Sequence, residues 1–270
     1  MSMLEIKNAE LTFNPGSVNE VPVLQKFSLS LEPGEFVTII GSNGAGKSTL
    51  FNCIGGVYEM DAGRIILDSK DITYMPEHKR ASLVGRIFQD PMKGTAQDLT
   101  IEENLSLAYL RKKIHPLSMG VRKKHSAFIR ERLAAFGMGL EDRMKQKVGL
   151  LSGGQRQAVS LLMAVIGAPK LLLLDEHTAA LDPEAAEKVM QITKSEVKDN
   201  NFTAMMITHN LGAALKTGTR TIMLDGGKVI LDLTGAVREK ATIEDLMRMY
   251  SQSSGKQLDD EKMLLASDII

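Results

Sequence analysis

Apolar residues recur along this chain in two rhythms, one alternating and one helical, and the switch between them lays out the fold. Leu4, Ile6, Leu11 and Phe13 have roughly alternate polar neighbours and predict an early strand. Asn14-Pro15-Gly16-Ser17 predicts a turn. Phe27, Leu29 and Leu31 alternate again, and Pro33-Gly34 turns the chain into a β-branched, apolar run at 36–40 that predicts a buried strand. Arg64-Ile65-Ile66-Leu67, followed by Asp68-Ser69, predicts a further hairpin element. From Asp90 the rhythm becomes helical. Thr100-Ile101-Glu102-Glu103 is a capping box and predicts a helix to about Lys112, with a break at 115–120. Ile129, Leu133 and Phe136 share one face of a second helix that stops near Gly137 and Gly139. Ser152 stands as N-cap to a run carrying Ala158, Leu161, Leu162 and Val165, which Gly167 and Pro169 end.

The all-apolar run at 171–174 predicts a buried parallel strand ending at Asp175-Glu176. Asp182 and Pro183 read as N-cap and first residue of a helix whose inner stripe is Ala186, Val189, Met190, Thr193 and Val197. A strand over 202–208 delivers His209. The runs at 221–224 and 229–231 flank Asp225-Gly226-Gly227 as a hairpin, and Thr242-Ile243-Glu244-Asp245 caps a last short helix. Beyond Tyr250 the chain is polar and expected to be disordered as far as Lys262. The pattern implies an α/β protein with a mixed sheet, an antiparallel β subdomain and an inserted α-helical subdomain. That insertion spans 91–149, or about 91–167 with the helix after Ser152. Residues 1–250 form a single domain and 251–270 a polar C-terminal tail.

Composition narrows the classes. At 270 residues the chain can bury a full core. Lys+Arg and Asp+Glu are both 33, which argues against a general polyanion binder, and no nucleic acid partner is expected. Arg111, Lys112, Lys113, Arg122, Lys123, Lys124 and His125 form a local basic cluster, read as a solvated helix–loop surface or a contact for lipid headgroups or an acidic partner. Cys53, the single cysteine, excludes an intrachain disulfide and reads as a small buried residue. No apolar run approaches the roughly 18 residues needed to span a bilayer, and the N-terminus lacks a signal-peptide core. With 16 Met and no Trp, packing relies on aliphatic and flexible side chains.

One stretch carries chemistry by itself. Gly41-Ser42-Asn43-Gly44-Ala45-Gly46-Lys47-Ser48-Thr49 fits the phosphate-binding loop, with a predicted strand before it and an apolar helix start after it. The glycines let the backbone wrap a phosphate, and successive N–H groups make an anion nest at a helix N-terminus. Lys47 would reach the β- and γ-phosphates and the Ser48 hydroxyl would ligate Mg²⁺. Ser152-Gly153-Gly154-Gln155 offers a second anion-binding helix N-terminus. Asp175 and Glu176 stand at the C-terminal end of a strand, where α/β sheets place their ligands.

In order along the chain stand the phosphate loop, Gln89 after Ile87-Phe88, Leu151-Ser152-Gly153-Gly154-Gln155, the run ending in Asp175-Glu176, Ala180-Leu181-Asp182, and His209. Over residues 4 to about 250 this arrangement resembles the nucleotide-binding subunit of an ATP-binding-cassette (ABC) transporter. The resemblance implies a P-loop NTPase core that binds ATP with Mg²⁺. It implies that Ser48, Gln89 and Asp175 hold the metal, that Glu176 polarises the attacking water, and that His209 contacts the γ-phosphate. Phe13 would stack on adenine. Ser152, Gly153, Gly154, Gln155 and Asp182 would close over the nucleotide of a second copy in a head-to-tail homodimer. Separate transmembrane permease subunits, an extracytoplasmic solute-binding protein and a peripheral location on the cytoplasmic face of the inner membrane follow from the same resemblance.

One departure is His177, where most members of the family have proline; it reads either as a tolerated loop residue or as a group titrating near neutral pH beside Glu176. That loop and the stretch at 140–151 resemble importers paired with branched-chain-amino-acid-like permeases, some associated with aromatic amino acids. The alternative reading is a soluble cassette ATPase such as those of iron–sulfur-cluster assembly. Cassettes of DNA repair would need a long coiled coil between Gln89 and Leu151, and residues 90–150 lack sustained heptads.

Overall fold

The computed structural model describes residues 1–111 and 123–254, which divide into two compact units, one built from Met1–Arg80 with the chain after Asn201 and the other from Ala81–Asn200. In chain order the first unit begins with β1 (Leu4–Phe13), β2 (Val21–Leu31), β3 (Phe36–Gly41), α1 (Lys47–Gly55), β4 (Ala62–Leu67), β5 (Lys70–Asp71) and the short α2 (Glu77–Arg80). The second unit holds β6 (Val84–Ile87), α3 (Ile101–Leu110), α4 (Lys123–Ala134), α5 (Gly153–Val165), β7 (Leu171–Asp175) and α6 (Pro183–Asp199). The chain then returns to the first unit with β8 (Thr203–Ile207), α7 (Leu211–Lys216), β9 (Arg220–Asp225), β10 (Lys228–Thr234), α8 (Gly235–Lys240) and α9 (Ile243–Ser254). Lys112, Lys113 and Arg122 of the basic cluster, and the tail from 255 onward, lie outside the described residues.

In the first unit an antiparallel sheet runs β2-β1-β4-β5. Beside it β3 pairs in parallel with both β8 and β9, and β10 adds antiparallel to β9. Every residue of β3 is buried, which is why its sequence shows no alternation. The irregular alternation in β1 has a local cause. Asn8 adopts φ 47° and the register against β2 shifts between Ile6 and Ala9. This bulge moves the inward face from Leu4 and Ile6 to Ala9 and Leu11, so both halves bury their apolar residues.

Two buried arginines donate to backbone carbonyls at the C-terminal ends of helices. Arg80 donates through Nε to Met75 O and through its two terminal nitrogens to Cys53 O, Ile54 O and Thr73 O, all between 2.6 and 3.0 Å. It therefore serves the C-terminal carbonyls of α1, where a cation also meets the negative end of the helix dipole. Arg238 does the same for α7, donating to Ala214 O, Leu215 O and Thr217 O, and to Thr221 Oγ1. Thr221 in turn meets the fully buried Thr38 of β3 at 2.8 Å. Burial pulls both guanidinium pKa values down, yet both remain charged. Cys53 is buried and its thiol is pushed up to about 12 by desolvation, as a packed, unreactive side chain should be.

In the second unit β6 and β7 pair in parallel, and α5 packs on β6, α3 and α6. Thr100 and Glu103 form the expected capping box on α3. Asn104, fully buried one turn on, ties down the preceding loop by accepting from Ala96 N and donating to the Ala96 and Thr100 carbonyls. This unit is wider than the helical insertion expected from sequence, since it also contains β6, β7 and α6. The strand β6 was not legible as such, because an arginine interrupts a run of only four residues.

Of the two readings of His177, titration near neutral pH is the one the structure removes. His177 is 2% exposed, and its Nε2 lies 3.1 Å from Thr193 Oγ1. The Thr193 hydroxyl already donates to Val189 O at 2.8 Å, so the imidazole must be the donor and carries its proton on Nε2. Burial pushes its pKa down to about 4, so the ring is neutral at physiological pH and does not sense it. It is a packing residue.

Replacing Arg80 by Leu removes four hydrogen bonds to backbone carbonyls and should cost about 3–5 kcal/mol of stability, read as a lower midpoint in urea unfolding. For His177 the folded pKa lies below the unfolded value, so its stabilisation is complete above pH 6.5 and is lost as pH falls toward 4. Wild type should lose about 2 kcal/mol more than His177→Gln between pH 7 and pH 5 in equilibrium unfolding. Parallel pH profiles would contradict the assignment.

Candidate functional site

In the first unit the phosphate loop leaves the C-terminal end of β3 and opens α1. Two of its glycines are required by space as well as by backbone angle. Gly41 has φ 144°, and a β-carbon there would stand 2.2 Å from Leu224 O; Gly46 has φ 96°, and its β-carbon would stand 2.9 Å from Val23 O. Gly46 is also the N-cap of α1 and, having no side chain, makes no side-chain cap hydrogen bond. Lys47 is 6% exposed and donates from Nζ to Gly41 O at 2.6 Å and Ser42 O at 2.9 Å. The loop thus curls around its own ammonium group and presents backbone amides and positive charge together. Asn43, Gly44 and Ser48 are exposed, Ser42 and Thr49 half-buried, and Ala45 buried.

His209 joins this group through the sheet. β3 and β8 run parallel with Ile39 opposite Ile207, and Thr208 N donates to Ile39 O at 3.1 Å, so His209 emerges at the same strand edge as Gly41. Asn210 then caps α7 by accepting from Ala213 N. Phe13, at the end of β1, is half-buried, and Tyr58 packs edge-on against it with centroids 5.4 Å apart.

The second unit carries the remaining predicted residues in two groups. Because β6 and β7 pair with Ile87 opposite Leu174, Gln89, Asp175 and Glu176 gather past one strand edge. Gln89 is exposed, and the preceding Phe88 is anchored through its carbonyl to buried Gln157 of α5 at 3.3 Å. Glu176 sits at φ 46°, a left-handed conformation that costs a long side chain roughly 1–2 kcal/mol and is characteristic of functional sites. The second group comprises Ser152-Gly153-Gly154-Gln155 and Asp182. Ser152 and Gln155 form a capping box on α5, and Asp182 Oδ1 accepts from Ala185 N on α6. A β-carbon on Gly154 would stand 2.8 Å from Ala185 Cβ, so glycine is what lets these two helix N-termini lie side by side.

Sequence reading missed Arg86. It lies 3.4 Å from Asp175 Oδ2 and stacks 4.7 Å over the Phe88 ring, supplying a cation to the acidic strand end. An arginine inside a short strand carries no signal of such a role. Among the described residues no three His, Cys, Asp or Glu side chains converge to hold a metal ion. The Ser48 hydroxyl in the first unit and the Asp175 carboxylate in the second are each hard oxygen donors of the type that Mg²⁺ takes.

Comparison with known proteins agrees with this geometry. Residues 24–179 match the ABC transporter family. The chain is 44% identical over 250 residues to the tyrosine transport ATP-binding protein of Clostridioides difficile, covering 92% of this chain and 98% of that one. It is 35% identical over 210 residues to the methionine import ATP-binding protein MetN of Rhizobium johnstonii, covering 77% of this chain but only 55% of that relative's length. The dimeric post-hydrolysis structure of the ATP-binding cassette MJ0796, bound to ADP and Pi, superposes with a TM-score of 0.72 at 29% identity, over 86% of this chain and 98% of that one. No helix among the described residues is long and apolar enough to cross a membrane. With the strand–loop–helix cradle around Lys47 and this extended similarity together, the chain belongs to the ABC transporter family, as one of its ATP-binding cassettes.

Proposed function

We propose that this protein is the ATP-hydrolysing subunit of an importer, driving uptake of an amino acid through separate permease subunits in the membrane. The observation that carries the ATPase reading is the buried Lys47 ammonium inside a glycine-shaped loop, at a helix N-terminus with no side-chain cap. The amino acid as cargo rests on the relatives named for tyrosine transport and methionine import.

In this reading the loop amides of 41–49 and Lys47 cradle the β- and γ-phosphates, and Phe13, with Tyr58 behind it, stacks on adenine. Ser48, Asp175 and Gln89 hold Mg²⁺, which when bound neutralises phosphate charge. Glu176 accepts a hydrogen bond from the attacking water, and its left-handed backbone aims the carboxylate from a fixed point at the strand end. His209 donates to the γ-phosphate, whose charge grows exposed as the bond to the leaving group lengthens. The N-termini of α5 and α6, at Ser152 and Asp182, cover the nucleotide of a second copy, so that two chains complete two sites head to tail. The stretch near Gln89 and residues 91–105 receives a coupling helix of the permease. The protein works at the cytoplasmic face of the inner membrane, and a solute-binding protein on the far side delivers the cargo.

Glu176→Gln should bind ATP as wild type does and lower kcat by about 10²–10⁴-fold, while Lys47→Ala should weaken nucleotide binding itself. Cells relying on Glu176→Gln should also stop taking up labelled tyrosine; normal turnover would remove the assigned role, and normal uptake the assigned transport. Ser152→Arg should leave nucleotide binding by the monomer intact and abolish ATP-driven dimerisation in size-exclusion chromatography. An ATP-dependent dimer in that variant would contradict the head-to-tail arrangement.

A further inference from the structure

The turn between β9 and β10, Asp225-Gly226-Gly227, is wedged under the phosphate loop. Leu224 O occupies the space where a β-carbon on Gly41 would lie. Asp225 Oδ1 accepts from Ser42 Oγ at 3.2 Å, and Gly227 N donates to Ala45 O at 3.2 Å. The turn is itself braced by β2. Gln25 donates from its backbone to Gly227 O at 3.4 Å and from Nε2 to Gly226 O at 3.2 Å. A β-carbon on Gly227 would come within 2.1 Å of Val23 O, the same carbonyl that presses on Gly46. Loop residues 41, 42, 45 and 46 are therefore each fixed by backbone or side-chain contact from β2 or from this turn. Ser42 gives its one hydroxyl proton to Asp225, so its side chain has none to offer a phosphate and anion recognition falls to the amides and Lys47.

Asp225 has a second partner. Tyr250 of α9 reaches the same Oδ1 at 3.5 Å, the long end of a hydrogen bond. Tyr250 is 2% exposed and belongs to an apolar cluster with Met223, Leu233, Leu246 and Ile40, the residue just before Gly41. The last helix thus reaches the surroundings of the nucleotide loop in two ways, through the apolar cluster that includes Ile40 at the end of β3 and through the Asp225 oxygen shared with Ser42.

We infer that Asp225 is a positioning residue for the phosphate loop and that Tyr250 links α9 to nucleotide affinity through it. The carboxylate pins Ser42 from behind and holds the amides in their anion-binding curve before nucleotide arrives. Without it the loop must be ordered at the moment of binding, which weakens affinity and leaves the chemical step of bound nucleotide alone. The inference rests on the nucleotide-binding function proposed above.

Titration of the full chain with fluorescent MANT-ATP, alongside steady-state turnover and thermal unfolding, tests it. Asp225→Ala should raise Kd and KM together by about tenfold, as expected for losing a hydrogen bond to a charged acceptor, with kcat within about twofold. Asp225→Asn, whose amide oxygen accepts the same hydrogen, should recover most of that loss. Tyr250→Phe should raise Kd by about threefold in the wild-type background and have no further effect in Asp225→Ala, since both act through one atom. Wild-type Kd in Asp225→Ala, even with a lowered melting temperature, would make the residue merely structural and overturn the inference. Independent, multiplying effects of the two substitutions would remove the link to α9. A wild-type chain that fails to bind MANT-ATP overturns this inference and the nucleotide reading together, and so is distinguishable from failure of the variants alone.

Discussion

The phosphate loop opens directly into helix α1, and that helix start carries no side-chain cap. Ordinary helices close their N-terminal amides with a serine, threonine or aspartate side chain, as Ser152 does for α5 and Asp182 for α6. Helix α1 instead begins at a left-handed glycine with no side-chain cap. With no side chain from the cap residue to close this end, the helix is held by contacts from elsewhere. Arg80 binds the carbonyls at the other end, and the Lys47 ammonium bridges the loop carbonyls at the near end. Both are buried cations that donate to backbone carbonyl oxygens.

The same requirement explains why backbone approaches so closely around the loop. Carbonyl oxygens of Leu224 and Val23 lie where β-carbons of Gly41, Gly46 and Gly227 would be. A loop that offers amides forward must turn its carbonyls and flanks toward something, and here β2 and the β9–β10 turn supply the contact. Strands distant in sequence therefore converge on a segment of six residues. The buried pair Thr38–Thr221, with Arg238 behind it, keeps β3 and β9 in the register that makes this possible.

In the second unit the organising device differs. Its candidate residues stand at the ends of two short parallel strands and at two adjacent helix N-termini, and small residues set the spacing of those termini. Glu176 carries backbone strain there while His177, beside it, is sealed in the core as a neutral donor to Thr193. A strained residue needs a rigid neighbour. A buried imidazole that does not titrate near pH 7 gives that rigidity without adding a charge beside two carboxylates.

Local patterns determined much of this protein. The glycine spacing around Lys47, the capping boxes at Thr100 and Ser152, the Asp182-Pro183 helix start and the apolar runs of β3, β7 and β8 each depend on residues within a few positions, so sequence alone specified them. The family resemblance rested on these same short motifs in order. What sequence left open depended on partners far along the chain. Arg86 reads as a surface charge until Asp175, from a strand far later, is beside it. His177 reads as exposed to titration until α6 covers it, and Asp225 reads as a turn former until the phosphate loop lies above it. The protonation state of a histidine, the partner of an arginine and the purpose of a turn are set by burial and by distance in space. Neither quantity is carried by local order along the chain.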